Sequence, residues 1–363
     1  MEVMMALTCP RCQTPLTSAT NGVASRNGPI VCPNCHASLA LGLVLQESGP
    51  AVGTVGSEAP RLPGPATDPG AGLDRDRDPE LAALRGRIQA VLQGDHDEIP
   101  LLNRVALKLR ALMRDPRAHA AEVARLIHSD QALATRVMRL ANSAYYGAFG
   151  PVSELGQAIR RVGFLAVEGV VVAASTQALY RPRTAVEAGL MSGLWDHALA
   201  VATAGRRIAR DVRRGDPEQA FLAGLLHDVG RAMALRVLGE TNGKSPGERR
   251  VLPPERILRL IDAVHTEVGG LLLEKWGFPP EVVLASRAHH VPAEIPDGET
   301  IPLAVALGDL VATRAGLDVS DLPPGAPPLD GLARRLGLEA SQLAAVEKDL
   351  AGLHTEMKRL LAA

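Results

Sequence analysis

The chain is short of aromatic residues, of lysine and, beyond residue 35, of cysteine. It has two Trp, three Tyr and four Phe among 363 residues, too few for a stacking platform that would hold single-stranded nucleic acid. Lysine occurs only at 108, 244, 275, 348 and 358, so the 39 basic residues are mostly arginine. The formal net charge is −1, which gives no overall field toward nucleic acid or an anionic membrane. No run approaches the roughly 18 uninterrupted apolar residues of a membrane span. The opening MEVMMALTCP lacks the basic and apolar segments of a secretory signal. A cytoplasmic protein is therefore expected, with its thiols reduced.

The four cysteines form two C-x-x-C pairs, Cys9/Cys12 and Cys32/Cys35, separated by nineteen residues. That spacing lets four thiolates surround one structural zinc ion. We expect a small zinc ribbon with short β-strands over residues 1–45, and a redox role is disfavoured without a surrounding βαβ pattern. His36 adjoins a shell already filled by four sulfurs. Residues 46–78 contain six Gly and five Pro, a third of the segment. Such a stretch buries too little apolar surface to offset its ordering entropy, so it reads as a flexible tether.

From Asp78-Pro79 onward the apolar spacing becomes helical, and Asp78 and Pro79 suit a cap and a first helical position. Helices are expected near 101–113, 119–128, 130–142, 154–161, 163–179, 190–212, 217–238, 255–263, 266–275, 279–289 and 302–314. With strand-like alternation nearly absent, residues 79–320 should form a mainly all-α domain. A Pro-rich break at 321–331 opens the last segment, 321–363. Its helix carries Leu343, Val346, Leu350, Leu353, Met357 and Leu360 in a short heptad-like seam. The seam can dock on its own domain or support self-association.

Five histidines fall in apolar helical contexts: His197, His227, His265, His289 and His290. Any one alone is more often a satisfied core residue than a ligand. Asp228 follows His227 directly, and Asp309 interrupts an apolar helix, LAVALGDLVA. A buried carboxylate needs a partner. A divalent metal can supply it, and so can hydrogen bonds from neighbouring histidines. Imidazole with carboxylate suits Zn, Fe, Mn or Ni, and such an ion can activate water for phosphate-ester hydrolysis.

The order His197, His227-Asp228, Asp309 resembles the HD phosphohydrolase superfamily, and those four residues match its metal ligands. His265, His289 and His290 match positions that complete a multi-metal site in its HD-GYP branch, which hydrolyses cyclic di-GMP. The chain departs from that branch. Val291-Pro292 follows His290 where an acidic residue is usual, no Gly-Tyr-Pro follows, and Arg231 stands where active relatives usually carry Lys. Residues 99–165 decide the branch. Pro100, Ile127-His-Ser-Asp-Gln-Ala-Leu, Leu140-Ala-Asn-Ser-Ala-Tyr-Tyr-Gly147, Ala158-Ile159 and Val162-Gly163 are similar to the HDOD domain, an HD-related output domain of bacterial signalling proteins. The resemblance spans residues 96 to 317, about 60% of the chain, and leaves out the cysteine module and the tether.

That resemblance implies a regulatory scaffold that contacts other signalling proteins without turnover, with the ribbon as an accessory binding module. The alternative is a metal-dependent phosphohydrolase acting on a nucleotide or cyclic dinucleotide, in which Arg231 would meet a phosphate. Nucleic acid is a poor main partner, because the ribbon carries few charges. If the four cysteines hold zinc, a thiol-modifying reagent should release one zinc ion per chain. Cys32→Ser should abolish that release, and its persistence in the variant would refute four-cysteine ligation.

Overall fold

In a computed structural model, the residues described here are 78–93, 102, 104–113, 115, 117, 119–146, 150–183, 185–240, 252–319 and 328–362, with the pairs 7–8, 15–16, 30–31 and 38–39. They fall into two units, residues 1–59 and 60–363. The first contains two antiparallel ladders. Strand β1 (Leu7–Thr8) pairs with β2 (Pro15–Leu16), and β3 (Ile30–Val31) pairs with β4 (Ser38–Leu39). Cys9, Cys12, Cys32 and Cys35 lie outside the described residues, and the four-thiolate reading with them.

The second unit is helical throughout its described residues. It begins with α1 (Pro79–Gln93), α2 (Arg104–Met113), α3 (Ala120–His128), α4 (Gln131–Ala141), α5 (Leu155–Val162) and α6 (Phe164–Thr176). The long α7 (Ala185–Val212) follows, then α8 (Pro217–Leu226), α9 (Val229–Glu240), α10 (Pro254–Asp262), α11 (His265–Lys275), α12 (Pro280–Ala288) and α13 (Thr300–Arg314). The chain ends in α14 (Leu329–Leu336) and α15 (Ala340–Leu361).

Local chemistry accounts for many of these boundaries. Asp78 accepts hydrogen bonds from the backbone N–H of Glu80 and Leu81, at 3.1 and 3.0 Å, just ahead of Pro79. Asp130 accepts from Leu133 N–H at 3.1 Å and starts α4. Asp216 accepts from Glu218 and Gln219, with Pro217 at the first helical position of α8. Asn142 closes α4, and its side-chain amide exchanges two hydrogen bonds with the backbone of Val152. Gly337, at φ 72°, ends α14 in the left-handed region.

Two expectations need correction. A single helix over 217–238 was expected, whereas α8 and α9 are separated by a turn at His227-Asp228. The pair sits where α8 ends and α9 begins, with the backbone of His227 still in the right-handed helical region. The break after residue 320 is followed by two helices, because Gly337 interrupts the terminal segment.

Helix α7 is the central post. It packs on α8, α13 and α15, and α13 is buried from Ile301 to Ala312. The α15 seam faces the domain: Leu343, Val346, Leu350, Met357 and Leu360 are buried, and Leu353 is half-buried. Helices α2 to α6 form a second layer. Arg206 of α7 clasps that layer, contacting Glu218 and the Tyr146 hydroxyl while its guanidinium lies 3.9 Å from the Tyr145 ring centroid. Tyr146 also donates to Glu218 at 2.7 Å. The tyrosine pair of LANSAYYG therefore serves packing.

Arg206 is 3% exposed, and removing one partner of a buried ion pair costs roughly 3 kcal/mol. Urea unfolding of Arg206→Met should show a loss of about that size, and Tyr146→Phe a loss of about 1 kcal/mol. A loss below about 1 kcal/mol for Arg206→Met would show that the clasp is screened by solvent.

Candidate metal centre

Seven side chains from five places in the chain meet at one point. His197 comes from the middle of α7, and His227 and Asp228 from the α8–α9 turn. His265 is the first residue of α11, His289 and His290 follow α12, and Asp309 lies within α13. All seven expected ligands are brought together. Their donor atoms form two groups, each within 4.8 Å: Asp228, His265, His289 and His290, and then His197, His227 and Asp309.

Close helix crossings make this convergence possible. A Cβ on Gly230 would stand 2.0 Å from the carbonyl oxygen of His265 and 2.7 Å from the nitrogen of Gly269. Only glycine lets α9 and α11 touch there, which sets His265 against Asp228. A Cβ on Gly308, beside Asp309, would lie 3.2 Å from Gly205 N, so α13 sits tightly on α7 near His197. Ser286 of α12 donates to the carbonyl of His227 at 2.7 Å and ties the last helix to the turn.

Backbone carbonyls orient the imidazoles. Nδ1 of His197 lies 2.9 Å from Leu317 O, Nδ1 of His227 2.7 Å from Gly224 O, Nδ1 of His265 2.8 Å from Asp262 O, and Nδ1 of His289 2.9 Å from Ser286 O. A carbonyl cannot donate, so each Nδ1 carries the hydrogen and each Nε2 is directed inward. This is the orientation that outer hydrogen bonds impose on ligating histidines.

Asp228 is the hub. Its Oδ1 lies 3.3 Å from His289 Nε2 and 3.5 Å from His265 Nε2. Its Oδ2 lies 3.5 Å from His227 Nε2, 3.8 Å from His197 Nε2 and 3.0 Å from Arg231 NH1. Asp309 Oδ1 is 3.1 Å from His197 Nε2, and its Oδ2 is 3.7 Å from His290 Nδ1. His290 Nε2 and His265 Nε2 are 3.1 Å apart. Nε2 of His197, His227 and His289 and both oxygens of Asp228 are buried without a well-aligned hydrogen bond. Orphaned, convergent nitrogen and oxygen donors of this kind fit a divalent metal ion.

Arg231 is 2% exposed, and its guanidinium pairs with Asp228, with Asp262 at 3.0 Å and with Asp318 at 3.5 Å. Asp262 and Asp318 were missed in the sequence. Asp262 interrupts the apolar run ILRLIDAV, the same signal that marked Asp309. Asp318 lies in a loop with no such signal, next to the Leu317 carbonyl that orients His197.

Burial disfavours charge on every group here, and local partners decide the outcome. It lowers the pKa of His227 to about 4 and that of His265 to about 3, with Arg231 adding to the second shift. His290 is lowered too, by burial and the neighbouring His289. For His197, burial is outweighed by Asp318, Asp309 and Asp228, which raise it to about 9. Burial raises Asp262 to about 6 against the pull of Arg231. Asp228 resists burial through Arg231 and His227, and Asp309 through His197, so both stay well below the usual carboxylate range.

A protein-family model, "HDOD domain", matches residues 99–292, more than half of the chain. The chain belongs to the HDOD family. Among sequence relatives, it is 23% identical over 222 residues to an uncharacterized Treponema pallidum (strain Nichols) protein. The match covers 59% of this chain and 42% of that one, so the chain spans less than half of that relative. An HDOD domain protein from Geobacter sulfurreducens has a crystal structure that superposes with a TM-score of 0.58 at 24% identity, covering 77% of this chain and 98% of that one. A Shewanella amazonensis SB2B protein named "Putative metal-dependent phosphohydrolase" gives 0.60 at 19%, covering 78% and 99%. A Marinobacter aquaeolei VT8 protein named "Putative signal transduction protein" gives 0.58 at 22%, covering 82% and 68%. At these identities the likeness establishes the HDOD fold.

The charge pattern predicts a stability maximum for metal-free HDOD protein. Below pH 6.5 the unfolded chain protonates His227, His265 and His290, which the folded chain resists, while folded Asp262 takes up one proton early. Near pH 5 the unfolded state binds more protons, so stability falls as pH falls toward 4. Between 6.5 and 9 folded His197 keeps a proton that the unfolded chain releases, so stability also falls as pH rises. Each excess proton is worth about 1.4 kcal/mol per pH unit. Thermal melts in chelator should peak near pH 6.5, and His197→Gln should remove the alkaline limb alone. A flat profile from pH 4.5 to 8.5 would refute this charge assignment.

Proposed function

We propose that this HDOD protein is a signal-transduction component whose helical domain is a protein-interaction scaffold without turnover, with the N-terminal cysteine module as a zinc-bearing accessory contact. The observation that carries this reading is the burial of the cluster. The side chains of His197, His227, Asp228, His265, His289 and Asp309 are at most 6% exposed, and only His290 reaches 23%. A hydrolytic metal must offer an open position to its substrate, and six of the seven side chains present almost no surface to solvent. Arg231, the candidate phosphate contact, has its guanidinium among three carboxylates. A groove of about 840 Å³ runs between α1 and α11, past Ile88, Leu92, Val264, Val268 and Leu271, and includes none of the seven ligands. In the first unit, the chain segments joining β1 to β2 and β3 to β4 contain one C-x-x-C each, as a ribbon requires.

A second reading, a metal-dependent phosphohydrolase, is favoured by the seven oriented donors. A divalent ion held by them would acidify a bound water. In that role His197, His227, Asp228 and Asp309 would hold the ion, joined by His265, His289 and His290 if a second ion is taken up.

The two readings separate in one experiment. Full-length protein supplied with Mn2+ is assayed on a diester chromogen and on cyclic dinucleotides, beside His227→Ala/Asp228→Ala. The expected result is equal, background rates, with the unaltered protein cross-linking in cells to partner proteins. Metal-dependent hydrolysis lost in the variant would replace the scaffold by the hydrolase.

A further inference from the structure

The five histidines of the cluster are not held alike. His197, His227, His265 and His289 each donate Nδ1–H to a backbone carbonyl at 2.7 to 2.9 Å, and their side chains are at most 1% exposed. His290 makes no such bond. It stands in the turn after α12, its side chain is 23% exposed, and the following Val291 is exposed too. Both of its ring nitrogens face the cluster: Nε2 lies 3.1 Å from His265 Nε2, and Nδ1 lies 3.7 Å from Asp309 Oδ2. With the other six side chains sealed from water, an ion arriving from solvent meets His290 first.

The hydrogen between His290 and His265 sets what that contact does. Nδ1 of His265 carries its hydrogen toward Asp262 O, and burial beside Arg231 keeps the ring neutral. Its Nε2 is therefore a bare acceptor. The 3.1 Å contact then requires His290 to donate, with its hydrogen on Nε2. That hydrogen covers the lone pair His265 would offer an ion, and His290 Nε2 has none to offer. Neither nitrogen ligates until the His290 ring moves. Once the ring has turned into water, its hydrogen exchanges from Nε2 to Nδ1 with no net gain or loss. On return, Asp309 Oδ2 accepts it there, and Nε2 is free for the ion.

We infer that His290 is the gate of the centre. Hydrogen-bonded to His265 it keeps the empty centre closed, its swing toward solvent admits a divalent ion, and it closes again as a ligand. The inference rests on the reading of the cluster as a metal centre and adds how that centre fills. Uptake is slowed by the fraction of time the gate stands open.

The test is the rate of Mn2+ uptake by the full-length, metal-free protein, read as loss of the free-ion signal in electron paramagnetic resonance. Mn2+ is chosen because it does not favour the thiolates of the cysteine module. His290→Ala should load about fivefold faster than unaltered protein, the factor set by one lost hydrogen bond, and should also release the ion faster. His290→Gln, whose amide still donates to His265, should load at the unaltered rate while releasing faster. His289→Ala removes a ligand away from the opening, so it should release faster without loading faster. Nitrogen NMR of the metal-free protein should place the His290 hydrogen on Nε2, with the signal assigned by its absence in His290→Gln. Unchanged uptake in His290→Ala with Mn2+ still bound, or a His290 hydrogen on Nδ1, would overturn the gate and leave the metal reading standing. No Mn2+ bound by the unaltered protein would overturn both. Should His290→Ala bind too weakly to be followed, the position of the hydrogen decides the matter.

Discussion

A single buried carboxylate organises this domain. Asp228 is 1% exposed among helices built from Ala, Gly, Val and Leu, where an unpaired charge would cost several kcal/mol. The chain answers by surrounding it, with Arg231 three residues on, histidines on four sides, and glycines at the crossings that let their backbones come close enough. Gly230 matters because the α9–α11 contact has no room for a methyl group there, and Gly308, beside Asp309, because it lets α13 lie tightly on α7.

Support for the centre reaches outward through charged clasps. Arg206 holds Tyr145, Tyr146 and Glu218, so the LANSAYYG turn is fastened to the start of α8, the helix that delivers His227. Arg110 of α2 pairs with Glu168 of α6, donates to Gly277 O at 2.8 Å, and lies 3.5 Å from the Phe278 ring centroid. That braces the turn before α12, the helix that delivers His289 and His290. At the other end, Arg335 of α14 donates to Pro292 O at 2.7 Å and Ile295 O at 2.6 Å, immediately after the histidine pair. The second layer and the terminal helices thus hold the ends of the elements that carry ligands.

Much of this was legible in the sequence because helical periodicity and buried-polar anomalies are local signals. The helix order and the Asp78 and Asp130 caps follow from residue type and spacing; the apolar contexts flagged the histidines and aspartates, and the resemblance to the HD superfamily grouped the seven as one ligand set. What escaped was nonlocal. The break between α8 and α9 leaves no mark in the continuous apolar pattern of FLAGLLHDVGRAMAL. Asp318 is recruited from a loop by Arg231, 87 positions earlier, and nothing near it in the chain announces that pairing. Arg231 itself was legible as a departure from the lysine usual in active relatives. Its burial among three carboxylates, which turns it away from solvent, needed the fold.

A buried, preorganised set of donors serves a scaffold differently from an enzyme. An enzyme needs the ion's open face, whereas a scaffold needs only the free energy of binding. An ion that binds the folded state and not the unfolded one stabilises the fold by mass action, by about 2.7 kcal/mol at a hundredfold excess over its dissociation constant. With ligands drawn from α7, the α8–α9 turn, α11, α12 and α13, that stabilisation is spread across the helices that carry the core. Arg231 already supplies one fixed charge to the same place, so the cluster stays folded at some cost without an ion and gains with one. In the scaffold reading the histidines and aspartates are kept because they set how firmly the interaction surface is held, which requires no chemistry on a substrate.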